Sequence, residues 1–408
     1  MIPSEENAIG NSQNYCMKQA EQCLHNIVKN HKFLTRSNGV NIKEAFPLQI
    51  TRKAPSSSTQ KRGNSFGQPV DTIIDYAYVV NFDNENGFIV MGAIDELPEI
   101  IAYSDNGNIP NPDSPEEVKI NPYVQDFLTD LQLYVEYNYS TSVDDDGSNP
   151  IVSKEYSPWS GKPINGNGLC PVQWHQSKPY NTYCPVIYGS NMYAGCLTIA
   201  VAQLMACYKY PTSYSYKTSD KRIDFDWDLM INDNYPENGM TSATEMICRL
   251  IESLFDTENL AIHYYKGESI GAIERVTHTL RNFGYTKPGS HISFNEEKAI
   301  TELMNGHPII LGGFCENAEV GHAWIVHGLY EQSRTVTTTW RNGEKTTKTE
   351  LQYLFLCNWG RGNKEMNGYY WSTNFNDKQK PVQVLDPTIP TPSEGNYKNL
   401  QMIYKIQP

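Results

Sequence analysis

Apolar residues recur three and four positions apart in several stretches of the chain, separated by stretches with no apolar period. Tyr15, Cys16, Ala20, Cys23, Leu24, Ile27, Val28 and His31 mark an amphipathic helix over 14–35. Residues 54–69, APSSSTQKRGNSFGQP, are too polar to bury a core and read as a loop or arm. The runs AYVVNF (77–82), GFIVMGA (87–93) and EIIAY (99–103) are separated by turn-forming FDNEN and DELP, which predicts an antiparallel meander. Val124, Phe127, Leu128, Leu131 and Val135 then fall at helical spacing over 122–137, with Asn121 as the cap.

Over 141–168, acidic residues, proline and glycine displace any periodic pattern, predicting a linker open to proteases. Beyond it, CLTIAVAQLMACYKY follows Gly195 and is apolar on nearly every face, so this helix should lie buried between other elements until Pro211. Ser242-x-x-Glu245 has capping-box form, and Met246, Ile247, Leu250, Ile251, Leu254 and Phe255 give the stripe of a second helix. Two more are expected over 270–283 and 295–305, stopped by Gly284 and Gly306. Runs at 308–311, 323–326, 353–357 and 368–371 read as strands. Helices first and strands afterwards imply a helical lobe on an antiparallel sheet, an α+β arrangement.

A length of 408 residues exceeds what one core usually serves, so two lobes or domains are expected. A net charge of -13 disfavours a nucleic-acid or anionic-membrane partner. Neither an eighteen-residue apolar run nor a signal-like start is present, so no membrane span is expected and any signal would have been removed beforehand. The nine cysteines (16, 23, 170, 184, 196, 207, 248, 315, 357) show neither C-x-x-C nor zinc-finger spacing, so no metal or other cofactor is expected. Their odd number leaves at least one thiol unpaired if the others form disulfides. The charged fraction of 19% and the Asn-rich loops suit a protein outside the cell.

Cys196 stands where a helix starts, and unpaired N–H groups with the helix dipole stabilise a thiolate there. Gly195 before it removes a Cβ that would obstruct a carbonyl approaching the sulfur. An ordinary buried cysteine would look the same. His322, in EVGHAWIVHG, follows Gly321, which opens access, and begins an apolar strand, suiting a group that takes and returns a proton near neutral pH. His327 competes with it, but an odd separation along a strand sends the two rings to opposite faces. In CNWG, Asn358 is placed to accept the Nδ1–H of the histidine, with Trp359 shielding that bond; a turn asparagine beside a core tryptophan is the alternative. Gln176 can donate with the Cys196 N–H to an oxyanion.

WHQSKPYNTYCP with AGCLTIAVAQLMACYKYP, GHAWIVHG, and LCNWGRGNKEMNGYYW resemble the oxyanion-glutamine, nucleophile, histidine and Asn-Trp-Gly segments of the streptopain family of papain-like cysteine peptidases. The resemblance implies a papain-like catalytic domain over 174–408, with Cys196 as nucleophile, His322 as base and acid, Gln176 as oxyanion donor, and Asn358 and Trp359 supporting the histidine. GFIVMGAIDELPEIIAYSDNGNI and the helix from Pro122 are similar to the family's inhibitory prodomain, implying a prodomain over 1–140 and an activation linker over 141–173. It further implies a secreted or cell-surface, monomeric endopeptidase zymogen that acts on proteins or peptides and is inhibited by its own prodomain. Gly267 and Ser269 would help line the pocket for an apolar substrate residue, with Gly321 at its rim. Arg361 stands where the family has a second tryptophan, which makes the cleft rim more polar. Amidase or transglutaminase-type acyl transfer on the same dyad, and an inactive peptide-binding relative, are the rival expectations.

Overall fold

The structure is a computed structural model and describes residues 41–52, 71–112, 120–140, 151–217, 220–233, 240–265, 268–315, 319–362, 365–375 and 397–408, with isolated positions at 18, 22 and 24. The helix expected over 14–35 and the loop at 54–69 lie essentially outside these residues.

The expected meander forms as β2 (Thr72–Phe82), β3 (Phe88–Gly92) and β4 (Ile100–Ser104), but it has a further edge strand, β1 (Ile42–Arg52). Pro47 lies within β1 and is tolerated because this strand has a partner on one side only. Next comes α1 (Pro122–Ser140), whose first turn is capped by Asn121 Oδ1, accepting from the Tyr123 N–H at 3.0 Å. Its stripe Val124, Phe127, Leu131 and Val135 is buried in one core with Trp324, Tyr370 and Phe375, far along the chain. Burying such side chains contributes about 1.5–3 kcal/mol each.

Within the expected linker, β5 (Ile151–Tyr156) and β6 (Ser160–Pro163) are strands rather than irregular chain. Both add to the edge of a long strand, and Tyr156 and Trp159 lie against the guanidinium of Arg334 on it, at 4.1 and 4.6 Å. The helical lobe follows. In α2 (Cys196–Tyr208), residues Leu197 to Ala206 are buried on every face, as the sequence requires. α3 (Trp227–Ile231) packs on α4 (Ser242–Phe255), which in turn packs beside α2. Thr241, not Ser242, caps α4, its hydroxyl accepting from the Thr244 N–H, while Glu245 turns away to Tyr183 and Arg249. The expected 270–283 helix is shortened to α5 (Arg275–Asn282), because 263–265 and 268–270 form a hairpin ahead of it.

The sheet continues through β7 (Lys287–Ser293), β8 (Ile309–Cys315), β9 (Val320–Trp340), β10 (Lys345–Asn358), β11 (Gly368–Trp371) and β12 (Tyr397–Gln407), with α6 (Glu296–Met304) between β7 and β8. Among the described residues, twelve strands make one sheet in the order β1-β2-β3-β4-β11-β10-β9-β8-β12-β7, with β5 and β6 both on β9. The join is β4 to β11, where Gly368 is required: a Cβ there would stand 2.1 Å from the Tyr103 carbonyl oxygen. Along β9, alternation sends Ala323 and Ile325 into the core of the helical lobe and Trp324 and Val326 into the core shared with α1. The sheet thus stands between the nucleophile helix and α1. Among the described residues no helix is long and apolar enough to cross a membrane.

Candidate active site

Cys196 is the first residue of α2, at the helix end whose N–H groups have no helical partner. Burial pushes its thiol up, opposed by N–H groups of Ala323, Leu197 and Cys196 itself that point at the sulfur. Ala323 is the neighbour of His322, so the sulfur touches the strand that carries the imidazole. Gly195 has φ 94° and ψ 135°, a region L side chains rarely adopt, and a Cβ on it would come 3.2 Å from Ser269 Oγ. Its need for glycine is therefore set by backbone and by Ser269 as well as by access to the sulfur. The Gln176 segment is tied to the same turn, its carbonyl accepting from the Ala194 N–H at 2.9 Å.

His322 is 3% exposed and lies on the α1 side of β9. Tyr123, the second residue of α1, stacks on it with centroids 3.6 Å apart and planes 11° from parallel. Nε2 of His322 is 3.0 Å from the Trp359 carbonyl oxygen. A carbonyl only accepts, so Nε2 carries the proton of the neutral ring and Nδ1 is left as the basic nitrogen. Burial, and then the positive charge of Arg361, push His322 down to about 3, against the pull of that carbonyl. Arg361 pairs with Glu365 at 3.2 Å and lies 5.7 Å from the Tyr123 ring. Thiol and imidazole are thus both held neutral, and the thiolate–imidazolium pair that makes a sulfur nucleophilic is disfavoured from each side.

The hydrogen bond expected between Asn358 and His322 is replaced by the bond to the Trp359 carbonyl. Asn358 is fully buried, and its carboxamide is used elsewhere: Oδ1 accepts from Gln203 Nε2 at 3.1 Å and from the Gly360 N–H at 3.0 Å, while Nδ2 donates to the Val172 carbonyl at 3.1 Å. Asn358 thereby fixes the loop, and the loop's backbone orients the ring. Trp359 is also fully buried, with its indole against Trp324 and Tyr370 at 5.1 and 5.3 Å. His327 points to the other side, where its Nδ1 accepts from the Cys170 N–H at 3.1 Å and burial pushes it down to about 4.

Cys196, His322, Gln176, Ser269 and Gly321 line one cleft of about 880 Å³, with Tyr123 and Arg361 at its wall. Asn358 and Trp359 stand behind it, and Gly267 lies outside the described residues. Sequence reasoning missed Tyr123, although it shares a helical face with Phe127 and Leu131. It also missed Gln203, whose signal was a carboxamide in a largely apolar helix, two turns after Cys196.

A thiol at the N-terminus of a buried helix, set against an imidazole on an antiparallel sheet, defines a papain-like thiol site on an α+β fold. A model of the Peptidase C10 family matches residues 174–370, and one of the Spi protease inhibitor matches residues 12–135. Residues 174–370 are thus a Peptidase C10 segment, of the streptopain family, and an Spi inhibitor segment lies ahead of them. It is 28% identical over 147 residues to the thiol protease/hemagglutinin PrtT of Porphyromonas gingivalis, a match covering 34% of this chain and only 16% of that protein. It is 22% identical over 297 residues to streptopain of Streptococcus pyogenes, covering 62% of this chain and 67% of that protein. Its fold is similar to that of a prointerpain A fragment from Prevotella intermedia, with a TM-score of 0.51 and 19% identity over 88% of this chain and 99% of the fragment.

Proposed function

We propose that the chain is the zymogen of a secreted cysteine endopeptidase, held inactive by its own N-terminal segment. The observation that carries this reading is Tyr123, from the segment matched to an inhibitor, stacked on His322, which lines the cleft with Cys196. In the active form His322 Nδ1 takes the Cys196 proton, and the thiolate attacks a substrate peptide carbonyl. The oxyanion is met by the Cys196 N–H and the Gln176 side-chain amide. His322 returns its proton to the departing amine, and water then hydrolyses the thioester to free acid and thiol. Ser269, Gly267 and Gly321 would contact the substrate.

In this reading the prodomain runs over 1–140, the linker over 141–173 and the catalytic domain over 174–408. Because β5 and β6 are paired to β9, a cut between Ser140 and Ile151 severs the chain ahead of those strands, which stay with the catalytic sheet. The test treats the full chain with trypsin and follows casein hydrolysis with and without an irreversible epoxide thiol inhibitor. Inhibitor-sensitive hydrolysis that appears on processing and is absent from Cys196→Ala is expected. Hydrolysis by processed Cys196→Ala overturns the assignment of the nucleophile, and amine incorporation without hydrolysis overturns the peptidase reading. Undiminished cleavage within 141–173 in unassisted Cys196→Ala removes autocatalysis from the scheme.

A further inference from the structure

Four carboxamides form a connected cluster behind the cleft. Gln203, fully buried on α2, donates both N–H bonds of Nε2: one to the Trp174 carbonyl at 2.9 Å, the other to Asn358 Oδ1 at 3.1 Å. Asn358 Nδ2 reaches Gln173 Oε1 at 3.4 Å, and Gln173 Oε1 accepts from Asn367 Nδ2 at 2.6 Å. Asn367 Oδ1 accepts the Trp359 N–H at 2.8 Å, and the other side of Trp359 supplies the carbonyl that holds His322.

The orientation of Gln203 is determined. The Trp174 carbonyl can only accept, and Asn358 Oδ1 is fixed as an acceptor by the Gly360 N–H, so Nε2 must face both. Gln203 Oε1 is buried with no hydrogen-bond partner among the described residues, a cost borne to place two donors where they are. The two acceptors belong to different parts of the site. Trp174 lies two residues before Gln176, the proposed oxyanion donor, and Asn358 opens the loop that orients the imidazole. Gln203 itself rides on the helix that begins at Cys196.

We infer that Gln203 is a positioning residue for the proposed reaction: one carboxamide joins the nucleophile helix to both the Gln176 segment and the Asn358–Trp359 loop, setting the register of sulfur, oxyanion donor and imidazole. The inference rests on the peptidase reading above. Loosening this joint lets thiolate and imidazolium drift apart, so each loses the partner charge that favours its ionised form. The thiol then ionises at higher pH and the imidazolium deprotonates at lower pH, and the bell-shaped activity profile narrows.

Gln203→Met keeps the volume and removes both donors, Gln203→Glu keeps the shape and turns oxygen toward two acceptors, and Gln173→Met cuts the cluster at an exposed residue. Each full chain is activated with trypsin, active sites are counted with an irreversible epoxide, and kcat, KM and the pH profile are measured per titrated site. A fall in kcat on the order of 10–100-fold in both Gln203 variants is expected, with KM changed by less than about threefold and both pH limbs moved inward. Gln173→Met should move the same way by less. Unchanged kcat and limbs per titrated site, with only the melting temperature lowered, show a merely structural role and overturn the inference. Should the Gln203 variants not fold, Gln173→Met decides by the same criteria. Absence of hydrolysis by processed parent chain sinks the peptidase reading instead.

Discussion

Tyr123→Ala in the unprocessed chain tests whether the aromatic ring itself keeps the site silent. The value of about 3 for His322, against an ordinary 6.5, leaves the imidazolium disfavoured by about 5 kcal/mol. At pH 7 that is an imidazolium population of roughly one in ten thousand, where an ordinary histidine has about one in four. Burial is the larger cause, and Tyr123 covers one face of the ring from 3.6 Å. If opening that face to water recovers half the shift, the population rises about fiftyfold. Loss of a buried aromatic costs α1 about 3–5 kcal/mol, but Phe127, Leu131 and Val135 still anchor the helix. The assay is the rate of iodoacetamide alkylation of Cys196 at pH 7, read at the peptide level because other thiols are present, with hydrogen exchange of α1 in parallel. A rise of at least about tenfold with α1 still protected is expected. An unchanged rate with α1 protected refutes the reasoning, and a rise accompanied by loss of α1 protection shows that undocking, not the ring, controls access.

His327, buried neutral at about 4, contributes stability that is complete above its unfolded value near 6.5 and is lost as pH falls toward 4; the loss is about 3 kcal/mol. His327→Asn keeps an acceptor for the Cys170 N–H and should flatten urea-measured stability across that window, whereas an unaltered slope refutes the assignment. Arg361→Gln removes the cation that lowers His322, so in processed enzyme the basic limb of kcat/KM against pH should move to higher pH; a fixed or downward limb contradicts the proposed coupling. A single cut between 140 and 151 leaves the β4–β11 ladder and the α1 core intact, so the nicked fragments should co-elute in gel filtration and stay inactive until mild denaturant or further digestion separates them. Full activity at the moment of the first cut refutes this.

Much of the fold was legible where burial imposes a period on the sequence. α1, α2 and α4 each present an apolar pattern that matches one core, and the β2–β4 meander buries its two faces in two; Cys196 stood out at the start of α2 and His322 ahead of the apolar run at 323–326. Other elements were hidden for identifiable reasons. Pro47 disguised β1, an edge strand. The Thr- and Lys-rich halves of β9 and β10 carried no expectation of strand, because they pair with each other and with β5 without a matching apolar run. β12 finds its neighbours β7 and β8 only in space, so nothing local announced it. The partner of His322 was illegible for a different reason: side-chain chemistry nominated Asn358, but the group that orients the ring is a backbone carbonyl, which every residue possesses.

The same loop that orients His322 is gripped from two directions. From the catalytic side, the carboxamide cluster fixes Asn358 and the Trp359 N–H. From the N-terminal segment, Asn121 Nδ2 donates to the Glu365 carbonyl at 2.8 Å, the Met366 N–H donates to Asn106 Oδ1 at 2.7 Å, and Ser104 Oγ donates to the Asn367 carbonyl at 2.8 Å. Glu365 in turn holds Arg361, the charge beside His322. The N-terminal segment therefore acts on the imidazole through the loop as well as through the Tyr123 ring. Removing the ring restores water to one face of the histidine but leaves the loop, and the Arg361 charge it carries, where the segment put them. On this geometry Tyr123→Ala exposes the site only in part, and the remaining barrier falls when the segment departs and the loop is held by the catalytic side alone.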